Sequence, residues 1–145
     1  MSNNKEINGV KLFSLETKVN RIILNGELDD LLRRMGQVEV RVVSEIEENE
    51  FTLRAVADEV WVSIDGGVDI ILVDRRSGSP TEETAIKINL DTEDGQGVLI
   101  PFGVAYSIIA KTDARLLRLS THRDGSHEGD QMISAKILSH LLTDL

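Results

Sequence analysis

Few side chains in this sequence can do chemistry, and their types narrow it. There is no cysteine, and the histidines are His122, His127 and His140. Disulfide and thiolate chemistry are excluded. From residue 38 to 120 no histidine occurs, so a pocket there lacks the nitrogen and sulfur donors that transition metals favour. No metal and no cofactor is expected. The ionisable candidates are Glu59, Tyr106 and His122, and only His122 has an ordinary pKa suited to a base at neutral pH. Arg54, and to a lesser degree Arg41, Arg75 and Arg118, could neutralise a diphosphate; for any one of them the competing state is a solvated arginine or surface ion pair. Tyr106 either hydrogen-bonds a ligand inside the fold or fills the core with its hydroxyl satisfied. Trp61 either stacks on a sugar or nucleobase or anchors a subunit interface. Asp74 suits orienting the Gly78-Ser79-Pro80 turn better than it suits chemistry. His122 and His127, near Asp124, Glu128 and Asp130, could hold a surface metal, against the commoner state of solvated loop histidines.

Charge bounds the partners. The net charge of −9 repels phosphates, which argues against non-specific nucleic-acid and anionic-membrane binding. A few arginines can still reverse the field inside a pocket. No apolar run approaches the ~18 residues of a membrane span, and the first six residues lack an apolar signal region. A cytoplasmic location is the expectation. The 145 residues suit a single domain over 1–145. With Phe13, Phe51, Phe102, Trp61 and Tyr106 as the sole aromatics, the core must be built from valine, isoleucine and leucine.

The elements that position these residues follow from periodicity. Val10, Leu12 and Leu15 suggest a short first strand. Leu28, Leu31, Leu32 and Met35 share one helical face and Gly36 supplies a stop, which predicts a short helix over 27–35. The period then becomes two. Val38, Val40 and Val42 alternate with Glu39 and Arg41; Val60, Val62 and Ile64 alternate with Trp61 and Ser63; Leu117 and Leu119 alternate with Arg118. Val68-Ile70-Leu72 and Ile86-Ile88-Leu90 follow the same rule. Short strands separated by glycine-rich turns predict a mainly β sandwich or barrel over about 38–120. Ile133, Ile137, Leu138, Leu141, Leu142 and Leu145 predict an amphipathic C-terminal helix over about 131–144 that covers the barrel or a second subunit.

Two stretches carry a resemblance. Gly95-Gln96-Gly97-Val98-Leu99-Ile100-Pro101-Phe102-Gly103-Val104-Ala105-Tyr106 is similar to the second cupin motif, with Tyr106 where a histidine ligand is expected. Glu59 to Gly66 fits the end of the first motif, but Thr52, Leu53, Arg54 and Ala55 occupy the region of its histidines. Val73-Asp74-Arg75-Arg76-Ser77-Gly78-Ser79-Pro80-Thr81, with Ile100-Pro101-Phe102-Gly103-Val104-Ala105-Tyr106 and the opening Ile7-Asn8-Gly9-Val10, resembles the dTDP-4-dehydrorhamnose 3,5-epimerase family. The resemblance implies a double-stranded β-helix jelly roll, usually a homodimer.

It also implies a reaction, proton abstraction alpha to a ketone, whose residues are missing here. Arg54-Ala55-Val56-Ala57 matches the family's R-G-L-H segment, which puts Ala57 at the base. Glu59 stands where a stabilising lysine is expected, and Ser120-Thr121-His122-Arg123-Asp124 contains no counterpart of the acidic tyrosine. The expectation is a metal-free cupin without epimerase activity that at most binds a small sugar or nucleotide-sugar ligand. Arg54, Glu59, Trp61, Tyr106 and Arg118 are its candidate ligand-binding residues. The alternatives are an isomerase or epimerase on a nucleotide-linked 4-keto sugar with relocated acid and base, and a structural or interaction subunit.

Overall fold

The computed structural model describes residues 5–18, 21–23, 34–44, 50–110, 112–143 and 145. The strands are β1 (Lys11–Ser14), β2 (Glu16–Lys18), β3 (Arg21–Ile23), β4 (Gln37–Val43), β5 (Glu50–Leu53), β6 (Glu59–Asp65), β7 (Gly67–Asp74), β8 (Ala85–Asp91), β9 (Gln96–Ile100), β10 (Val104–Ala110), β11 (Ala114–Ser120) and β12 (Gln131–Ser134). A single-turn helix, α1 (Ser139–Leu142), follows. One antiparallel sheet runs β1-β9-β6-β11-β4, the other β12-β5-β10-β7-β8, and β2 pairs with β3. From β4 to β12 every connection except β7 to β8 crosses between the two five-stranded sheets. That crossing pattern is the jelly roll expected from the sequence. Gly66, between β6 and β7, has φ +78°, and a Cβ there would lie 2.9 Å from the Asp113 carbonyl oxygen, so this crossing needs glycine.

The core lies between the sheets, where Val68, Ile70, Leu72 and Leu90 meet Trp61, Val98, Ile100 and Leu116. In the first sheet the inward face differs from the one the valine pattern suggests. Glu39, Arg118 and Trp61 stand side by side in register across β4, β11 and β6. Val38, Val40 and Val42 instead point outward, at 51%, 60% and 65% exposure. Val60, Val62 and Leu119 form a separate buried cluster with Phe13, Leu15, Leu99 and Leu117, so β6 is buried on both faces.

Three further boundaries depart from the expectations. The barrel extends beyond 38–120, because β1 pairs with β9 and β12 pairs with β5. The expected C-terminal helix over 131–144 is a strand, a turn and α1, because Gln131–Ser134 completes the β5 side of the second sheet. There Ile133 joins Phe51 and Leu138 in a small cluster of its own. The expected helix over 27–35 falls mainly outside the described residues, and Met35 is exposed and irregular. No helix among the described residues is long and apolar enough to cross a membrane.

Asp74, at the end of β7, organises the turn after it, as its place before Gly78-Ser79-Pro80 suggests. Its carboxylate is fully buried and accepts from Arg76 N–H (3.0 Å), Arg76 Nε (2.9 Å), Arg76 Nη2 (3.0 Å), Ser79 Oγ (2.6 Å) and Thr81 Oγ1 (2.7 Å). Arg76 Nη2 also bonds the Asn8 carbonyl, and Asn8 N–H donates to Thr81 Oγ1 (2.9 Å), which ties the N-terminal segment to this turn. Burial alone would raise the Asp74 pKa, but the bonds from Arg76, Ser79 and Thr81 hold it well below the usual carboxylate range. A depressed pKa gives stability that is complete above the unfolded value of about 3.9 and fades as pH falls below it. Asp74→Asn is expected to lower the unfolding free energy at pH 7 by about 3 kcal/mol in urea titrations. The gap from the parent protein should narrow below about pH 4.

Candidate functional site

The site is built around Glu59, the first residue of β6, which is 1% exposed. A carboxylate out of water must be paired and hydrogen-bonded. Tyr106 Oη donates to both of its oxygens, at 2.9 and 3.1 Å. Arg54 Nε donates to Oε1 (3.1 Å) and Arg118 Nη1 to Oε2 (3.1 Å). Each oxygen therefore has an arginine donor of its own and shares the single phenol proton.

Local chain geometry explains why these three meet. Gly103 has φ +82°, and a Cβ on it would lie 2.4 Å from Arg76 Cγ, so the turn into β10 closes only with glycine. Phe102 N–H donates to Asp58 Oδ1 (3.0 Å), and Gly103 N–H to the Arg54 carbonyl (2.9 Å). These bonds dock the turn against the segment between β5 and β6. Tyr106 then starts inward beside Leu72 and Thr52. Arg54 follows β5 directly, and Arg118 is the inward residue of β11 opposite Trp61.

Three further acids, Glu39, Asp124 and Asp130, face the arginines. Arg118 Nη2 lies 2.7 Å from both Asp124 oxygens. Its Nε lies 3.0 Å from Glu39 Oε1, at ion-pair distance but out of line for a hydrogen bond. Arg54 Nη2 is 3.3 Å from Asp124 and its Nη1 is 3.5 Å from Asp130. Asp130 in turn accepts from Ala55 N–H (2.8 Å). Trp61 is fully buried and meets Tyr106 edge to face, with centroids 5.7 Å apart and planes at 66°. The guanidinium carbons of Arg41 and Arg118 sit 5.3 and 5.8 Å from the Trp61 ring. Above this layer a cleft of about 390 Å³ opens, lined by Arg41, Thr52, Arg54, Asp130, Gln131 and Met132.

Electrostatics lock the protonation states. Burial raises the Tyr106 pKa, and the Glu59 charge raises it further, so the phenol stays protonated and donates. Burial would lower the pKa of Arg118, but Glu59 and Asp124 hold it above the ordinary arginine value. Arg54 is likewise raised, with Tyr106, Glu59 and Asp124 outweighing its burial. Burial opposes the Asp124 charge, yet its bonds and attraction to Arg118 and Arg54 keep its pKa lowered.

The structure brings Arg54, Glu59, Trp61, Tyr106 and Arg118 into one cluster. It adds Asp124 and Asp130 from the polar loop 121–130, and Glu39 beside Arg41 on β4. The signal for Glu39 and Arg41 was their opposite charge at a spacing of two, which puts both on one strand face. Arg75 follows β7, where its N–H donates to the Gly103 carbonyl (3.0 Å). Ala57 is buried and brings no titratable group. The His122 ring bonds Arg34 Nη2 (2.9 Å) and Thr121 Oγ1 (2.8 Å), and His127 Nδ1 accepts from Gly129 N–H (2.9 Å). Among the described residues no group of three or more histidines or acids is arranged to hold a metal ion.

No protein-family model matches the chain, and no curated protein matches it. Solved structures do. A dTDP sugar isomerase from Desulfovibrio desulfuricans G20 superposes with a TM-score of 0.70 at 19% identity, covering 89% of this chain and 85% of that one. ChmJ, a 3'-monoepimerase from Streptomyces bikiniensis in complex with dTDP-quinovose, gives 0.68 at 20% identity over 90% of this chain and 71% of that one. The rmlC epimerase of Mycobacterium tuberculosis gives 0.70 at 17% identity over 90% and 70%. The fold is thus the cupin jelly roll found in dTDP-sugar epimerases, in a divergent sequence.

Tyr106 is the single tyrosine, so tyrosinate absorbance reports on this site alone. The native protein is expected to show almost no tyrosinate at pH 11, where an ordinary phenol with pKa about 10 is mostly ionised. A raised pKa contributes stability that is complete below about pH 10 and lost as pH rises beyond it, so ionisation should accompany alkaline unfolding. Glu59→Gln should lower the pH of that transition and cost about 3–5 kcal/mol in denaturant titrations, because two buried arginine nitrogens lose their counter-charge.

Proposed function

We propose that this chain is a divergent, metal-free cupin that binds a small sugar-like ligand, free or nucleotide-linked, at the barrel mouth and does not carry out 3,5-epimerisation. The observation that carries this reading is the state of Glu59. It stands where the resembled family places a stabilising lysine, and both its oxygens are held by Tyr106, Arg54 and Arg118. A negative charge there opposes a developing enolate. Buried Ala57 occupies the position of the base and cannot take a proton. The cleft lined by Arg41, Thr52, Arg54, Asp130, Gln131 and Met132 offers polar side chains that suit a hydroxyl-rich ligand. The dTDP-quinovose complex of ChmJ supports the sugar class.

An enzyme with relocated acid and base draws less support, since Tyr106 is held protonated and the His122 ring is engaged at both nitrogens. Incubation with a dTDP-4-keto sugar in deuterated water tests the point. No deuterium is expected at C3 or C5; incorporation at either position, followed by NMR, would overturn the reading.

The same reading includes a homodimer in the cytoplasm. The outward stripe of Val38, Val40 and Val42 lies on β4, the edge strand of its sheet. An exposed apolar edge of this kind calls for a covering partner. Sedimentation velocity is expected to show a dimer for the parent chain and a monomer for Val40→Asp. A monomeric parent would remove this part of the proposal.

A further inference from the structure

The charge layout of the mouth says more about its ligand, on the premise that the mouth binds a sugar. Arg54 directs Nε to Glu59, Nη1 to Asp130 and Nη2 to Asp124. Arg118 directs Nε to Glu39, Nη1 to Glu59 and Nη2 to Asp124. Every guanidinium nitrogen of both residues already faces a carboxylate. Arg41, which lines the cleft with Arg54 while Arg118 lies buried beneath, bonds Glu39 (3.1 Å) and lies over Trp61. Three guanidinium groups are therefore set against the four carboxylates of Glu39, Glu59, Asp124 and Asp130, within a chain of net charge −9.

The two aspartates are also held in place by neutral groups. Asp124 N–H donates to Gln37 Oε1 (2.8 Å), and Gln37 Nε2 donates back to Asp124 Oδ2 (3.1 Å). Asp130 is fixed by Ala55 N–H, and Thr121 at the loop's start exchanges two bonds with Asp58, each 3.0 Å. An incoming phosphate would have to expel carboxylates whose loop is anchored independently of the arginines. The walls that remain open, Thr52, Gln131 and Met132, offer uncharged contacts.

We infer that the mouth selects by charge: Asp124 and Asp130 occupy Arg54 at its wall from within, so it takes an uncharged, hydroxyl-bearing sugar and turns away a phosphate- or diphosphate-linked one. The probe is inorganic pyrophosphate, titrated calorimetrically into the full chain, with circular dichroism confirming the fold of each variant. Asp124→Asn/Asp130→Asn is expected to bind pyrophosphate about 100-fold more tightly than the parent chain, and Asp130→Asn alone about tenfold more tightly, roughly a factor of ten for each carboxylate charge removed. If the double variant does not fold, Asp130→Asn decides alone. A parent chain that binds pyrophosphate as tightly as the folded variants, or folded variants that gain nothing, would overturn the inference. Free glucose and rhamnose, titrated in parallel, test the premise separately. If neither binds while the variants gain pyrophosphate, charge selection stands and the sugar-binding reading falls.

Discussion

A carboxylate buried as deeply as Glu59 constrains everything near it. Removing an ion from water costs several kcal/mol even after relaxation, and the loss is offset only by close, well-oriented partners. Glu59 meets this demand with two arginines and a phenol. Each arginine then needs counter-charges of its own, which draws in Glu39 from β4 and Asp124 and Asp130 from a distant loop. One buried charge thus connects β4, β6, β10, β11 and the 121–130 segment into a single network. The tyrosine's protonation, the arginines' fixed charge and the depressed Asp124 pKa all follow from it.

The fold beneath this network rests mainly on turns. Gly66 and Gly103 let the chain pass between sheets in conformations that other residues resist. Asp74 gathers the turn after β7 and, through Arg76, the segment around Asn8. These parts keep the barrel closed whatever occupies its mouth. The fold likeness to dTDP-sugar epimerases and isomerases accordingly holds at only 17–20% identity.

Much of this was legible in the sequence, and the exceptions have physical causes. Alternation located β4, β6, β7, β8 and β11, and the Ile100-Pro101-Phe102-Gly103 turn placed Tyr106 inside. Alternation does not say which face turns inward. On β4 the apolar face points out and Glu39 and Arg41 point in, a choice that depends on Arg118 on the next strand and Trp61 on the strand beyond it. The C-terminal apolar spacing suited a helix, yet the open side of β5 takes 131–134 as a strand, and pairing of that kind leaves no trace in local periodicity. Asp124 and Asp130 were read as loop residues because their partners lie at positions 54 and 118.

Arg118 sits at zero exposure among carboxylates. Removing an entire buried ion cluster in favour of well-packed hydrophobic residues is often neutral or stabilising by 1–4 kcal/mol. Leucine at 59 and 118 alone would not be such an exchange, because Arg54, Tyr106, Glu39 and Asp124 would each lose a partner. The interior of this barrel holds charge beneath its mouth, with both Glu59 oxygens bonded and Arg118 Nε at ion-pair distance from Glu39. The charges at 54, 59, 118 and 124 therefore stand together: a change at one leaves the others short of a partner.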